Sequence, residues 1–201
     1  MRAAILISGG GSNMVALADA MISGKISAEP ALVLSNRGDA GGLQKADRRG
    51  IRTVVVDHRR FPDRGSFETA LDRELQAADV DMICLAGFMR VLTADFVGRW
   101  SGRMVNIHPS LLPSFRGLNT HARAIAAGVA VHGCTVHEVT PELDDGPIIG
   151  QAMVPVHPDD DAGTLAARVL QMEHRLYPAC VEAFVQGARR PLFLSGDQTT
   201  S

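Results

Sequence analysis

Ala3-Ala4-Ile5-Leu6-Ile7-Ser8-Gly9-Gly10-Gly11-Ser12-Asn13 is the stretch that decides the fold. It starts as an apolar run without polar alternation, the pattern of a strand covered on both faces. It ends in glycines followed by the start of a helical pattern. A strand, a tight turn and a helix in that order open a βαβ unit, and such units build parallel sheets. Glycines let backbone approach a ligand closely, and a helix N-terminus offers free N–H groups with positive partial charge. Ser12 and Asn13 add side-chain donors, so the turn suits a phosphate. It also suits a plain βα connection. It lacks the Gly-Lys-[Ser/Thr] of a P-loop, and Met14 stands where the dinucleotide fingerprint needs a small residue.

The alternation continues outward. Strands are expected over Ala3–Ile7, Ala31–Ser35, Thr53–Val56, Met82–Ala86, Met104–Ile107, Gly133–Val139 and Ile148–Val156. Helices are expected over Asn13–Ile22, Gly42–Arg49, Ser66–Ala77, Thr93–Arg99, Thr120–Ala127 and Thr164–Val185. After Gly128 the pattern changes to two longer strands joined by Thr140–Pro147, which could extend the sheet with an antiparallel pair. The expectation is a doubly wound α/β fold, mainly parallel, with helices on both faces and antiparallel strands toward the C-terminal part. No linker, repeat or low-complexity segment divides the chain, so residues 1–201 are expected to form one domain. The polar tail Ser195–Ser201 is expected to fray.

Composition narrows the function. The 201 residues are 46% hydrophobic and only 4% aromatic, which means an aliphatic core, and the net charge is −2. That balance argues against a nucleic-acid binder, which shows a basic face. No apolar run approaches the ~20 residues of a membrane span. The start of the chain is too soon broken by glycine to read as a signal peptide. Cys84, Cys134 and Cys180 are odd in number and set in apolar surroundings, so buried reduced thiols and a cytoplasmic protein are expected.

The chemistry points to Asn106-Ile107-His108-Pro109-Ser110-Leu111-Leu112-Pro113. Residues i and i+2 of a strand face the same way, so Asn106 and His108 share a face where the strand runs out. Open α/β sheets place ligands at the carboxyl ends of their strands. An amide donor beside an imidazole suits chemistry in which a carbonyl becomes an oxyanion. Asp144, in Glu142-Leu143-Asp144-Asp145-Gly146-Pro147, would orient an imidazole if it reached one, although spacing alone also allows a solvated turn. His132, Cys134 and His137 alternate across a strand and do not converge on a metal ion. His121 and His174 lie in helical patterns without partners at metal spacing. Arg64, Arg90 and Glu173 read by themselves as surface charges. Gly87, at a strand end in Ala86-Gly87-Phe88-Met89-Arg90, suggests that the residues after it line a crevice.

Taken together, Ile7–Asn13, Leu85–Arg90, Asn106–Pro113 and Glu142–Pro147 resemble the phosphoribosylglycinamide formyltransferases, or GAR transformylases. The likeness runs in order from residue 1 to about 190, with Asp145 standing where that family more often has glycine. The resemblance implies transfer of a formyl group from 10-formyltetrahydrofolate, a co-substrate, to the amine of glycinamide ribonucleotide in purine synthesis. It implies a catalytic trio of Asn106, His108 and Asp144. Gly11, Ser12 and Asn13 would hold the substrate phosphate, and Glu173 would contact the ribose or glycinamide side. Phe88, Met89, Arg90, Val91 and Leu92 would line the folate pocket with Asn106, and Arg64 would lie near the folate glutamate. No metal, nucleic-acid or membrane partner is implied, and the protein would be a monomer or homodimer. Formyltetrahydrofolate hydrolase and methionyl-tRNA formyltransferase share the core but usually carry a further domain. An inactive folate- or phosphate-binding module is the remaining alternative.

Overall fold

The structure is a computed structural model describing residues 1–188 and 190–195. Its centre is an eight-stranded sheet in the order β3-β2-β1-β4-β5-β6-β7-β8. Strands β1 (Arg2–Ile7), β2 (Glu29–Ser35), β3 (Thr53–Val55), β4 (Met82–Leu85) and β5 (Met104–His108) pair in parallel. Strands β6 (Val131–Glu138) and β7 (Ile148–Pro155) continue the sheet antiparallel. A short β8 (Leu192–Ser195) closes it parallel to β7. The sheet therefore has the mainly parallel arrangement with late antiparallel strands that the sequence pattern implies.

The unbroken apolar strands are explained by a two-sided core. Along β1, Ala3, Ile5 and Ile7 enter one buried cluster while Ala4 and Leu6 enter the other. The first cluster lies under α1 (Ser12–Ile22), α2 (Gly41–Asp47) and α6 (Ala162–Val185). The second lies under α3 (Arg64–Ala77) and α4 (Ala94–Arg99). α5 (Thr120–Ala126) follows the loop beyond β5 and contributes Ala124 to the first cluster. α6 buries Leu165, Val169, Met172, Leu176, Tyr177, Cys180 and Val181, a stripe at helical spacing. The Tyr177 hydroxyl lies 2.9 Å from the Leu85 carbonyl and 3.2 Å from that of Val105. It thereby ties the helix to the ends of β4 and β5.

Several boundaries differ from expectation for local reasons. α3 begins at Arg64 rather than Ser66, because Asp63 caps it by accepting from the Ser66 amide at 2.8 Å. α6 begins at Ala162 because Asp161 and Thr164 form a reciprocal capping box. β2 starts before Ala31, and its register against β1 shifts between Ala3 and Ala4, opposite Pro30, which has no N–H to donate. A single 3-10 turn at His58–Arg60 and the strand β8 were not expected at all. Ser195, expected in a frayed tail, ends β8; Gly196–Ser201 lie outside the described residues.

Candidate active site

The glycine turn is shaped by what packs behind it. Gly11 has φ +69°, and a Cβ there would lie 2.8 Å from the Gly42 Cα. Only glycine allows both that backbone and that approach. Ser8 joins the turn to the end of β4: its amide donates to the Gly87 carbonyl at 3.0 Å, and its hydroxyl accepts from the Met89 amide at 2.7 Å. The same hydroxyl donates to Oδ1 of the buried Asn36 at 2.6 Å. A cavity of 550 Å³ results, lined by Ser8–Asn13 and, across from them, by Gly87, Met89 and Arg90. Asn36, Arg37, Lys45 and His58 also line it, and none of these was singled out from sequence.

On the far side of the turn, Asn13 Nδ2 donates to Glu173 Oε2 at 2.6 Å. Asn13 Oδ1 is buried and has no partner among the described residues. Glu173 was read by itself as a surface position; it is in fact buried, at 7% exposure, on the sheet-facing stripe of α6. Burial pushes its carboxyl above the usual range, opposed by the Asn13 hydrogen bond.

Asn106 and His108 end β5 on one face, as strand parity requires. His108 is 5% exposed. Its Nε2 faces the Phe115 carbonyl at 3.1 Å and its Nδ1 faces Asp144 Oδ2 at 3.4 Å. Both ring nitrogens thus meet acceptors. The loop after His108 is held by buried Thr135, paired with His108 in β6. Its hydroxyl donates to the Ser110 carbonyl at 2.7 Å and accepts from the Leu112 amide at 3.0 Å.

Asp144 arrives by the loop joining β6 to β7. Its backbone is left-handed, φ +50°, and its Oδ2 accepts from the Gly117 amide at 2.9 Å. The loop turns hard against β6 at Gly146, where a Cβ would lie 1.9 Å from the Glu138 carbonyl. Asp144 is 9% exposed and turns inward, whereas Asp145 turns out to an exposed ion pair with Arg116. The neighbouring aspartates therefore have distinct environments.

His137 was set aside in the sequence and stands within this cluster. It pairs with Asn106 across β5 and β6, and Asn106 Nδ2 lies 3.2 Å from its Nε2. Its Nδ1 lies 2.7 Å from the Glu138 carbonyl and so carries the proton. Burial lowers the His137 pKa, against the opposing pull of the Glu138 carbonyl and Asp144. The neutral ring then accepts at Nε2 and fixes the Asn106 amide with Nδ2 toward it. No residue spacing marks His137, because only the β5–β6 register brings it opposite Asn106.

The segment after Gly87 splits by direction. Phe88 and Leu92, each 9% exposed, pack in the core beside Phe96, Val97 and Trp100. Met89 and Val91 are exposed, and Met89 and Arg90 line the cavity. Arg64 stands exposed in the first turn of α3, without an ion pair among the described residues. His132 has no exposure and, among the described residues, no hydrogen-bond partner at either ring nitrogen; its ring meets that of His121 edge-on at 5.2 Å. Burial pushes it down to about 4, with His121 adding to the shift. Among the described residues no three His, Cys, Asp or Glu side chains form a metal-type group. No described helix is long and apolar enough to cross a membrane. The three cysteines are buried and free, and burial lifts the Cys84 thiol up to about 12.

A glycine-lined cavity and an amide–imidazole–carboxylate cluster thus both stand at strand ends of one doubly wound, mainly parallel sheet. A family profile described as formyl transferase matches residues 1–181, and the chain belongs to that family. Within it, the chain is 43% identical over 187 residues to the phosphoribosylglycinamide formyltransferase of Escherichia coli (strain K12), covering 93% of this chain and 88% of that one. Glycinamide ribonucleotide transformylase 1 from Symbiobacterium toebii matches in structure with a TM-score of 0.91 and 44% identity, over 93% of this chain and 88% of that one. The trifunctional purine biosynthetic protein adenosine-3 of Gallus gallus is 48% identical over 188 residues; the match takes in 94% of this chain and 19% of that protein. The chain thus spans about a fifth of the length of the trifunctional relative.

Proposed function

We propose that this chain transfers the formyl group of 10-formyltetrahydrofolate to the amine of glycinamide ribonucleotide, in de novo purine biosynthesis. Two bacterial relatives, matched over 89% and 88% of their own length, are named phosphoribosylglycinamide formyltransferase. The observation that carries the reading is the convergence of Asn106 and His108 from β5 with Asp144 from a separate loop, His108 Nδ1 standing 3.4 Å from the carboxylate.

In this reading the neutral amine attacks the formyl carbon. A C–N bond forms, and the former carbonyl oxygen of the tetrahedral intermediate takes the negative charge. Asn106 donates from Nδ2, whose other hydrogen goes to His137. His108 donates from Nε2, where the oxyanion takes the place of the Phe115 carbonyl. The bond to the folate nitrogen then breaks. The proton lost by the attacking amine passes by way of His108 to that nitrogen, so charge and atoms balance without a further reactant. Asp144 orients the imidazole, its Oδ2 standing 3.4 Å from Nδ1. An amine is a competent nucleophile and the formyl donor is activated, so the step calls for no metal.

The substrate phosphate sits on the N–H groups of Gly11, Ser12 and Asn13 at the start of α1. Asn13 Oδ1 and Glu173 face the ribose side, where a hydroxyl would satisfy the orphaned amide oxygen. Folate lies along Met89, Arg90 and Val91, over a floor that includes Phe88 and Leu92, with Asn106 at its formyl end and Arg64 near its glutamate. Residues 1–201 act as one formyltransferase domain, a reading supported by one sheet with a core on each face. The free, buried thiols support a cytoplasmic setting.

The test is formyl transfer assayed with and without glycinamide ribonucleotide. The expected result is formylated ribonucleotide as product and negligible turnover without the acceptor. Equal consumption of the donor in water alone would make the chain a hydrolase, and binding without turnover would make it an inactive module.

A further inference from the structure

The glycine turn supplies only neutral donors. A phosphate monoester carries about −1.5 to −2 charges at neutral pH, so a cradle of amides alone leaves much of that charge uncompensated. The residue that meets this need comes from α2. Lys45 lines the cavity, and its Nζ donates to the Gly10 carbonyl at 2.8 Å. The contact between α2 and the turn is extensive. The Gly42 amide donates to the Gly9 carbonyl at 3.0 Å, and Gly42 abuts Gly11. Arg49, one turn further along, fixes α2 on α1 through a two-pronged pair with Asp19, at 2.6 and 3.1 Å.

The other cations at the cavity differ from Lys45. Arg37 is engaged by Asp39 at 3.0 and 2.7 Å, and Arg90 stands across the cavity in the segment read as the folate side. Lys45 alone among them touches the turn, and it has no carboxylate partner among the described residues. An ammonium has three donors. One is used on Gly10, and two remain for a ligand.

We propose that Lys45 is the charge partner of the substrate phosphate, a specificity-determining residue that makes the site prefer a ribotide over a riboside. The inference rests on the reading of Gly11–Asn13 as the phosphate cradle. Nζ keeps its bond to Gly10 and adds one to a phosphate oxygen, so ligand and turn are held by one cation.

The experiment compares kcat/KM for glycinamide ribonucleotide and for its dephosphorylated riboside in the wild type, Lys45→Met and Lys45→Arg. Lys45 is a surface residue, so both variants should fold, and far-ultraviolet circular dichroism checks this. The expected result for Lys45→Met is a loss of about tenfold on the ribotide, the size of one charge-assisted hydrogen bond. The loss is carried by KM, the riboside is unaffected, and the salt dependence of ribotide KM is reduced. Lys45→Arg should recover most of the loss. An equal loss on both substrates would mean that Lys45 merely braces Gly10, and no loss on either would mean that it is a bystander; each overturns the proposal. A wild type that treats ribotide and riboside alike would instead remove the cradle itself.

Discussion

Gly9 to Asn13 come from one unbroken piece of chain, while Asn106, His108, His137 and Asp144 come from two antiparallel strands and the loop between β6 and β7. The first region positions backbone, and its demands are local: glycine where α2 presses on the turn, and a helix start at the proposed anion site. The second positions side chains, and its demands are long-range: a register between β5 and β6, and a loop folded back far enough for Asp144 to reach His108. A local device can be read from consecutive residues. A long-range one has to be assembled before its members look related. The same difference separates their proposed tasks, since backbone amides hold a ligand in both ground and transition states, whereas the side-chain cluster meets charge that develops only during reaction.

If that division is right, the largest losses of turnover should come from the side-chain cluster. Asn106→Ala removes one oxyanion donor and should lower kcat by roughly 10²–10³-fold, with ribonucleotide affinity close to wild type. A variant that loses affinity and keeps kcat would exchange the roles of the two regions. Asp144→Asn should follow, lowering kcat at least about tenfold through loss of the charge beside His108. Asp145→Asn should change it less than about twofold, the scale expected of an exposed pair. A steady-state comparison of the two variants reads the loop register directly; if Asp145→Asn is the damaging one, the loop is placed one residue out.

His137 tests whether positioning matters as much as contact. His137→Phe keeps a ring but removes the acceptor that fixes the Asn106 amide. The expected loss in kcat is about tenfold, and Asn106→Ala should add much less in the His137→Phe background than in the wild type. Full additivity of the two losses would show that His137 acts independently.

The smallest effect falls on stability. Burial raises the Glu173 pKa, so ionising it in the folded state costs free energy at neutral pH. The sign follows: the cost is complete above the folded pKa and is gone once pH falls below the unfolded value of 4.5. Glu173→Gln keeps an acceptor for Asn13 and should raise Tm at pH 7, by roughly 2–4 °C for each kcal/mol recovered. That gain should disappear near pH 4, and ribonucleotide KM should rise throughout. Calorimetric scans across pH that show no gain at pH 7 would mean that the Glu173 charge is fully compensated by its surroundings.

The parts legible in sequence follow the same division. Unalternating apolar strands announced a parallel sheet covered on both faces, and β1 through β5 have that arrangement. Asn106 and His108 share a face because strand parity alone ensures it. Asp144 was assigned by resemblance, since residue spacing carries no information on how a loop folds back. His137 was invisible because its partner is chosen by the β5–β6 register. Glu173 looked like a surface residue because a carboxylate on a helix is exposed by default, and only the packing of α6 shows that it lies inside the apolar stripe. Strand β8 is short, and it adds to β7 at the far edge of the sheet, away from the parallel units whose pattern revealed the rest.

The most direct test of the account is one variant measured in two ways. His108→Ala should bind glycinamide ribonucleotide with a dissociation constant within about threefold of wild type by isothermal titration calorimetry, because the proposed phosphate site is untouched. The same preparation should lose roughly 10²–10⁴-fold in kcat for formyl transfer, the range of a positioned acid–base group. A folded variant with near wild-type kcat, or one whose loss of turnover is matched by its loss of affinity, would contradict the separation of binding from chemistry on which the account depends.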